Sequence, residues 1–211
     1  MGIEGGYMRS ESIFEYTTKG NVVVGKDWKE SIVENGGVAN LILGTEHFFG
    51  ETQRFGIRWG IYGGYGYTQG KHNELGKISM QILSAGSIFD TITNLVSEEK
   101  IQVGFIGGLG YDFSSLMPSR EIKLGFKAMP PILDKDLAIT NKTYLNSLLL
   151  RLGFSTLFNK HHRFEVIAQI PFNLTLISTR FGYAEGGRNI DIGYDFYYNR
   201  IQGLLSYKYI F

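Results

Sequence analysis

The stretch Ile201-Gln202-Gly203-Leu204-Leu205-Ser206-Tyr207-Lys208-Tyr209-Ile210-Phe211 decides the fold. Side chains alternate between the two faces of a strand. Ile201, Gly203, Leu205, Tyr207, Tyr209 and Phe211 therefore share one face, apolar and aromatic. Gln202, Leu204, Ser206, Lys208 and Ile210 share the other, largely polar one. Such a pattern suits a strand with lipid on one side and a closed lumen on the other.

Working back from this strand, seven more alternating segments precede it. They run about 2–10, 37–49, 53–67, 78–95, 100–113, 143–158 and 162–176. The cleanest sets Phe55, Ile57, Trp59, Ile61, Gly63, Tyr65 and Tyr67 against Arg54, Gly56, Arg58, Gly60 and Tyr62. The segment Ile82–Val96 also admits an amphipathic helix, because its apolar residues fit both periods. The connections alternate as well. Gly50-Glu51-Thr52, Ser97-Glu98-Glu99 and Asn159-Lys160-His161 are short, whereas 11–36, 68–77, 114–142 and 177–196 read as long loops. Short turns on one rim and long loops on the other, with an even strand number, describe a transmembrane barrel. The expectation is one all-β domain over 1–211, an antiparallel up-and-down barrel of eight strands. Local strands at Glu121–Lys127 or Ile190–Tyr198 would extend it above the membrane or raise the count to ten.

Composition points the same way. The 211 residues include 28 glycines, 15 phenylalanines and 13 tyrosines against 4 prolines, a balance that favours curved, aromatic-packed sheet. Cysteine is absent, as suits a chain that passes through an oxidising compartment. A net charge of +1 gives no electrostatic argument for nucleic acid. No run approaches the roughly 18 apolar residues of a membrane helix, and alternating strands escape hydropathy windows. No secretory signal is visible at Met1-Gly2-Ile3. The chain thus reads as a mature form with an added methionine or as an incomplete gene model.

By parity, the lumen receives Glu4, Glu46, Arg54, Arg58, Arg151, Arg163, Glu165, Arg200 and Lys208. An eight-stranded barrel is just wide enough for side chains to fill it, and charges there must pair or stay hydrated. Glu46 with Arg54, Arg163 with Glu165, and Glu4 with Lys208 are the expected neighbours. Two roles follow: a structural network filling the barrel, or an anion-preferring path lined by Arg54, Arg58, Arg151 and Arg200. Trp59, Tyr65, Tyr67, Phe158, Phe164, Tyr207 and Tyr209 are candidates for interfacial girdles.

Catalytic and metal chemistry find little support. His161-His162 stands in a short turn without a cysteine nearby, and reads as turn filler. The glycine-rich strings at Gly60–Gly66 and Gly104–Gly110 lie within strands and lack a following Lys-Ser/Thr, so they read as bending points. The expectation is a protein that is not an enzyme and has no cofactor. The loop Tyr16–Trp28, with Lys19, Lys26, Asp27 and Trp28, is the candidate patch for a host or cell-surface ligand.

Several segments together resemble the Helicobacter outer membrane protein family. They are Phe89-Asp90-Thr91-Ile92-Thr93-Asn94-Leu95-Val96-Ser97-Glu98-Glu99-Lys100 with Val103-Gly104-Phe105-Ile106-Gly107-Gly108, and Asn159-Lys160-His161-His162-Arg163-Phe164-Glu165 leading to Ile170-Pro171-Phe172. The terminal Tyr207-Lys208-Tyr209-Ile210-Phe211 completes the set. The resemblance implies a bacterial outer-membrane location, surrounding outer-membrane lipids, and either adhesion or a porin-like role. It transfers no binding residue. The chain lacks the large inserted domain of the adhesin type. Its aromatic end resembles the C-terminal signal of outer-membrane barrels, which implies that Tyr207, Tyr209 and Phe211 meet the barrel-assembly machinery.

Overall fold

The computed structural model describes residues 1–20, 28–72, 76–98, 100–118, 122–123, 138–139, 143–173, 177–185 and 188–211. Among the described residues every regular element is a strand: β1 Gly2–Gly20, β2 Trp28–Phe49, β3 Phe55–His72, β4 Gly76–Ser97, β5 Ile101–Pro118, β6 Ile122–Lys123, β7 Ala138–Ile139, β8 Thr143–Phe158, β9 His162–Asn173, β10 Ile177–Glu185 and β11 Arg188–Tyr209. Eight of these, β1-β2-β3-β4-β5-β8-β9-β11, pair antiparallel in chain order, and β11 returns to β1 to close a barrel. Strand β10 pairs with the outer part of β11 alone among the described residues, and β6 with β7 forms a separate ribbon.

The stagger of the barrel can be read from the pairs. From Gln202 on β11, one direction passes through Met8 to Gly36 on β2. The other passes through Gln169, Arg151, Gly108, Asp90 and Arg58 to Glu46, also on β2 and ten residues away. That offset tilts the strands steeply, and with eight strands the lumen is just wide enough for side chains to fill.

Among the described residues, the expected long loops 11–36, 68–77 and 177–196 are mostly strand. β1 and β2 stay paired up to Tyr16↔Trp28, and β1 follows β11 up to Gly20↔Ile190. Strands of 18–22 residues (β1–β5 and β11, with β1 at 19) far exceed the roughly 9–11 that cross a bilayer. Polar outward residues such as Arg9, Glu11 and Lys29 mark where lipid ends, but they do not end the backbone pairing. Lys26 and Asp27 of the candidate ligand patch lie outside the described residues.

The Ile82–Val96 segment is strand, with a bulge between Asn94 and Val96. Its period is blurred because both faces are apolar: Ile82, Ile88 and Ile92 are buried, while Leu83, Phe89 and Leu95 are exposed. The three short turns fall where expected. Gly50, Gln53, Asn159 and Lys160 take positive φ to make two of them, and Gly50 fits that region without strain. Glycine also lets strands crowd inward. A Cβ at Gly6 would meet the Gly203 carbonyl, and one at Gly36 the Tyr67 carbonyl.

The candidate functional site lies in the lumen

The odd residues of β1–β5 and β11, and the even ones of β8 and β9, point outward. They carry a band of exposed apolar side chains that includes Leu41, Ile61, Leu109, Leu152, Val166 and Leu205. Aromatics border the band. On the short-turn rim, Phe164 lies 5.2 Å from Tyr207, Tyr209 lies 5.0 Å from Phe211, and Phe49 stacks on Phe55 at 6.0 Å. Trp59 and Phe158 join this rim, whereas Tyr65 and Tyr67 belong to the opposite border with Tyr7, Tyr111, Phe113 and Tyr144. The histidine turn clasps the last strand. His161 Nδ1 is 2.9 Å from the Ile210 carbonyl, and the Ile210 N–H donates back to the His161 carbonyl at 2.8 Å. His162 Nδ1 is 2.9 Å from the Tyr207 hydroxyl.

Inside, six charged side chains from six strands form a closed ring of alternating sign. Arg58 (β3) pairs with Asp90 (β4) at 2.6 Å. Asp90 Oδ1 lies 3.4 Å from Arg151 Nε (β8), an ion pair without hydrogen-bond geometry. Arg151 donates to Glu4 (β1) at 2.9 Å, and Glu4 meets Lys208 (β11) at 3.4 Å. Lys208 donates to Glu165 (β9), and Glu165 accepts from Arg58. Three cations and three carboxylates are thus neutralised within the ring, and all six are buried. Such burial is tolerated only when every charge has partners. Below the ring, Arg163 pairs with Glu46 at 3.0 Å and donates to Ser155 at 2.6 Å.

Above the ring the lumen turns apolar. Ile42, Ile88, Leu149 and the ring of Tyr62 form one layer. The Tyr62 hydroxyl and the Arg200 guanidinium both donate to Asp112, which also accepts from Ser114. Beyond them Met8, Ile32, Met80, Ile82, Leu116 and Phe196 close the outer half. Within that cap sits Glu34, a buried carboxylate that accepts from Ser12 at 2.9 Å, Thr68 at 2.7 Å and Ser10 at 3.2 Å.

Eight of the nine residues expected in the lumen are there: Glu4, Glu46, Arg58, Arg151, Arg163, Glu165, Arg200 and Lys208. Arg54 is not. It precedes β3 in the turn and is exposed, held by its carbonyl, which accepts from the Asn94 N–H at 2.7 Å. Pairing has already ended at Phe49↔Phe55, so its parity has no wall to point through. Two expected partnerships change accordingly. Glu46 meets Arg163 instead of Arg54, and Glu165 meets Arg58 and Lys208 instead of Arg163. Glu4 and Lys208 are neighbours as expected. Asp90, Asp112 and Glu34 complete the network and are absent from the expected set. With them the named inward set holds five cations and six carboxylates, and no arginine excess remains to favour anions.

Lipid-facing apolar wall, paired aromatic borders and an interior of paired charges define an integral outer-membrane β-barrel. The family model described as Helicobacter outer membrane protein matches residues 40–211, and the chain belongs to that family. No curated protein matches it. Among solved structures, it is similar to the outer membrane protein OprG from Pseudomonas aeruginosa, at 15% identity and TM-score 0.43, covering 98% of this chain and 94% of that one. The attachment invasion locus protein Ail of Yersinia pestis matches at 10% identity and TM-score 0.29, over 93% of this chain and 97% of that one. The outer membrane protease OmpT from Escherichia coli matches at 9% identity and TM-score 0.32, over 99% and 95%.

Proposed function

We propose that this barrel does not conduct and is not an enzyme, and that it serves as a rigid outer-membrane scaffold presenting its outer hairpins at the cell surface. The observation that carries this reading is the closed ring of Arg58, Asp90, Arg151, Glu4, Lys208 and Glu165, with an apolar cap above it. A conducting path would have to break several buried ion pairs and then wet an apolar layer, each step opposed by the low dielectric of the interior. His161 and His162 are engaged with the last strand, which speaks for fastening and against chemistry. Tyr207, Tyr209 and Phe211 remain the surface offered to the assembly machinery.

The test is a single-channel recording from the refolded, heat-modifiable protein in a planar bilayer. Silence is the expected result. Reproducible ion-selective steps that change with Arg58→Ala or Arg151→Ala would establish the channel reading instead. For display, the variant deletes residues 21–27, the part of the expected loop 11–36 that lies outside the described strands. Loss of cell or glycan binding in that deletion, with the barrel folded, is the expected outcome, and unchanged binding would exclude this tip.

A further inference from the structure

We infer that the outer face of the β3–β4 hairpin binds the phosphate groups of an anionic lipid in the outer leaflet, with Lys71 and Lys77 as the cations. The inference rests on the outer-membrane location and is independent of whether the lumen conducts.

Lys71 and Lys77 are direct cross-strand partners, both exposed and both on the lipid-side parity. Two ammonium groups placed opposite each other repel, which disfavours the pairing of their strands. An anion between them reverses the sign. Their surroundings match a headgroup. One step toward the membrane, the paired row Arg9–Asn35–Gln69–Ser79 presents outward hydrogen-bonding groups across β1 to β4. One step further, Tyr67 and Tyr7 close the apolar band, with the Tyr7 hydroxyl on Asn35 and Gln69 Nε2 on the Tyr67 hydroxyl. The order apolar wall, tyrosine, amide and hydroxyl, then ammonium follows the order of acyl chain, ester, sugar and phosphate in a phosphorylated glycolipid.

Charge on this side of the barrel is one-sided. Among the described residues, the outward positions of β3 and β4 hold no carboxylate. By contrast, β1 presents Glu11 and Glu15 outward, and Glu15 already meets Lys29 at 3.8 Å. Glu11 pairs with Val33, one residue short of Glu34, whose own partner Gly70 precedes Lys71. Glu74 in the hairpin tip lies outside the described residues, so it enters the test as its own variant.

The experiment compares the intact barrel refolded into vesicles of phosphatidylcholine alone and of phosphatidylcholine with bis-phosphorylated lipid A. Its readout is the midpoint of heat modification on gels. Lipid A should raise the wild-type midpoint by about 4–8 °C at low salt, and high salt should erase most of the rise. K71Q/K77Q should lose most of the shift while keeping the phosphatidylcholine midpoint, since both side chains stand outside the packed interior. E74Q and the short-turn variant K100Q/K160Q should keep it. A full shift in K71Q/K77Q would overturn the assignment. So would an equal loss in K100Q/K160Q, which would mean general surface charge. The same rise with inorganic phosphate in plain phosphatidylcholine would also overturn it, in favour of a small-anion site.

Discussion

The two halves of the lumen solve the same packing problem with opposite chemistry. Near the short-turn rim the space is filled by long charged side chains that neutralise one another in a ring. Toward the outside it is filled by Met8, Ile32, Met80, Ile82, Leu116 and Phe196, with Asp112 paired to Arg200 and Glu34 held by three hydroxyls. A ring of ion pairs is directional and fails when one member goes. An apolar layer is not directional and loses only what is removed. The lower half should therefore be brittle and the upper half forgiving.

That contrast can be broken at its strongest point first. Glu165→Ala strands Arg58 and Lys208 without their shared carboxylate, and removing one member of a buried pair costs about 3–5 kcal/mol. Urea unfolding in detergent or vesicles should show a loss at the top of that range, because two cations each lose one of their two carboxylates. Ile82→Ala in the outer cap should cost less, about 2–4 kcal/mol, with no change in the fold. If Ile82→Ala proves the worse of the two, the ring is not the brittle half. Glu34→Gln sharpens the comparison. An amide oxygen still accepts from hydroxyls, so the loss should be about 1–2 kcal/mol, the excess strength of bonds to a charged acceptor. A larger loss would mean that the outer half also depends on the charge of Glu34. Smallest of all, Arg54→Ala should stay within about 0.5 kcal/mol, since the side chain is exposed on the rim.

Parity carried most of the site. Once one strand was seen to alternate, Arg58, Arg151, Glu165 and Lys208 had only one face to occupy, and the lumen was the polar one. Where the reading fell short, the cause was local. Arg54 kept its parity in sequence but had left the sheet. Asp90 sat in a strand whose two apolar faces hid its register. Asp112 was legible between the outward Tyr111 and Phe113, and parity alone would have placed it inside. Glu34 lay in a stretch that polar outward neighbours made look like loop. Pairing partners were less legible than faces, because the ten-residue stagger brings together side chains from strands that a flat drawing keeps apart. Arg58 and Glu165 illustrate this: β3 and β9 share no hydrogen-bonded border, yet the guanidinium reaches the carboxylate across the lumen.

The seam between β1 and β11 has a kinetic consequence. Gly2 pairs with Lys208, so the first and last strands must find each other after everything between them has been made. Contacts of that sequence separation form late, because ordering the intervening chain comes first. Glu4 and Lys208 face each other across this seam, and both belong to the charge ring. An unclosed sheet therefore leaves Glu4 on the β1 edge, apart from its partners Lys208 on the β11 edge and Arg151 on β8 two strands in. Joining them shuts the wall and neutralises the interior in one step. Closure of this barrel is thereby made cooperative, and a half-zipped intermediate in the membrane has a standing electrostatic drive to finish.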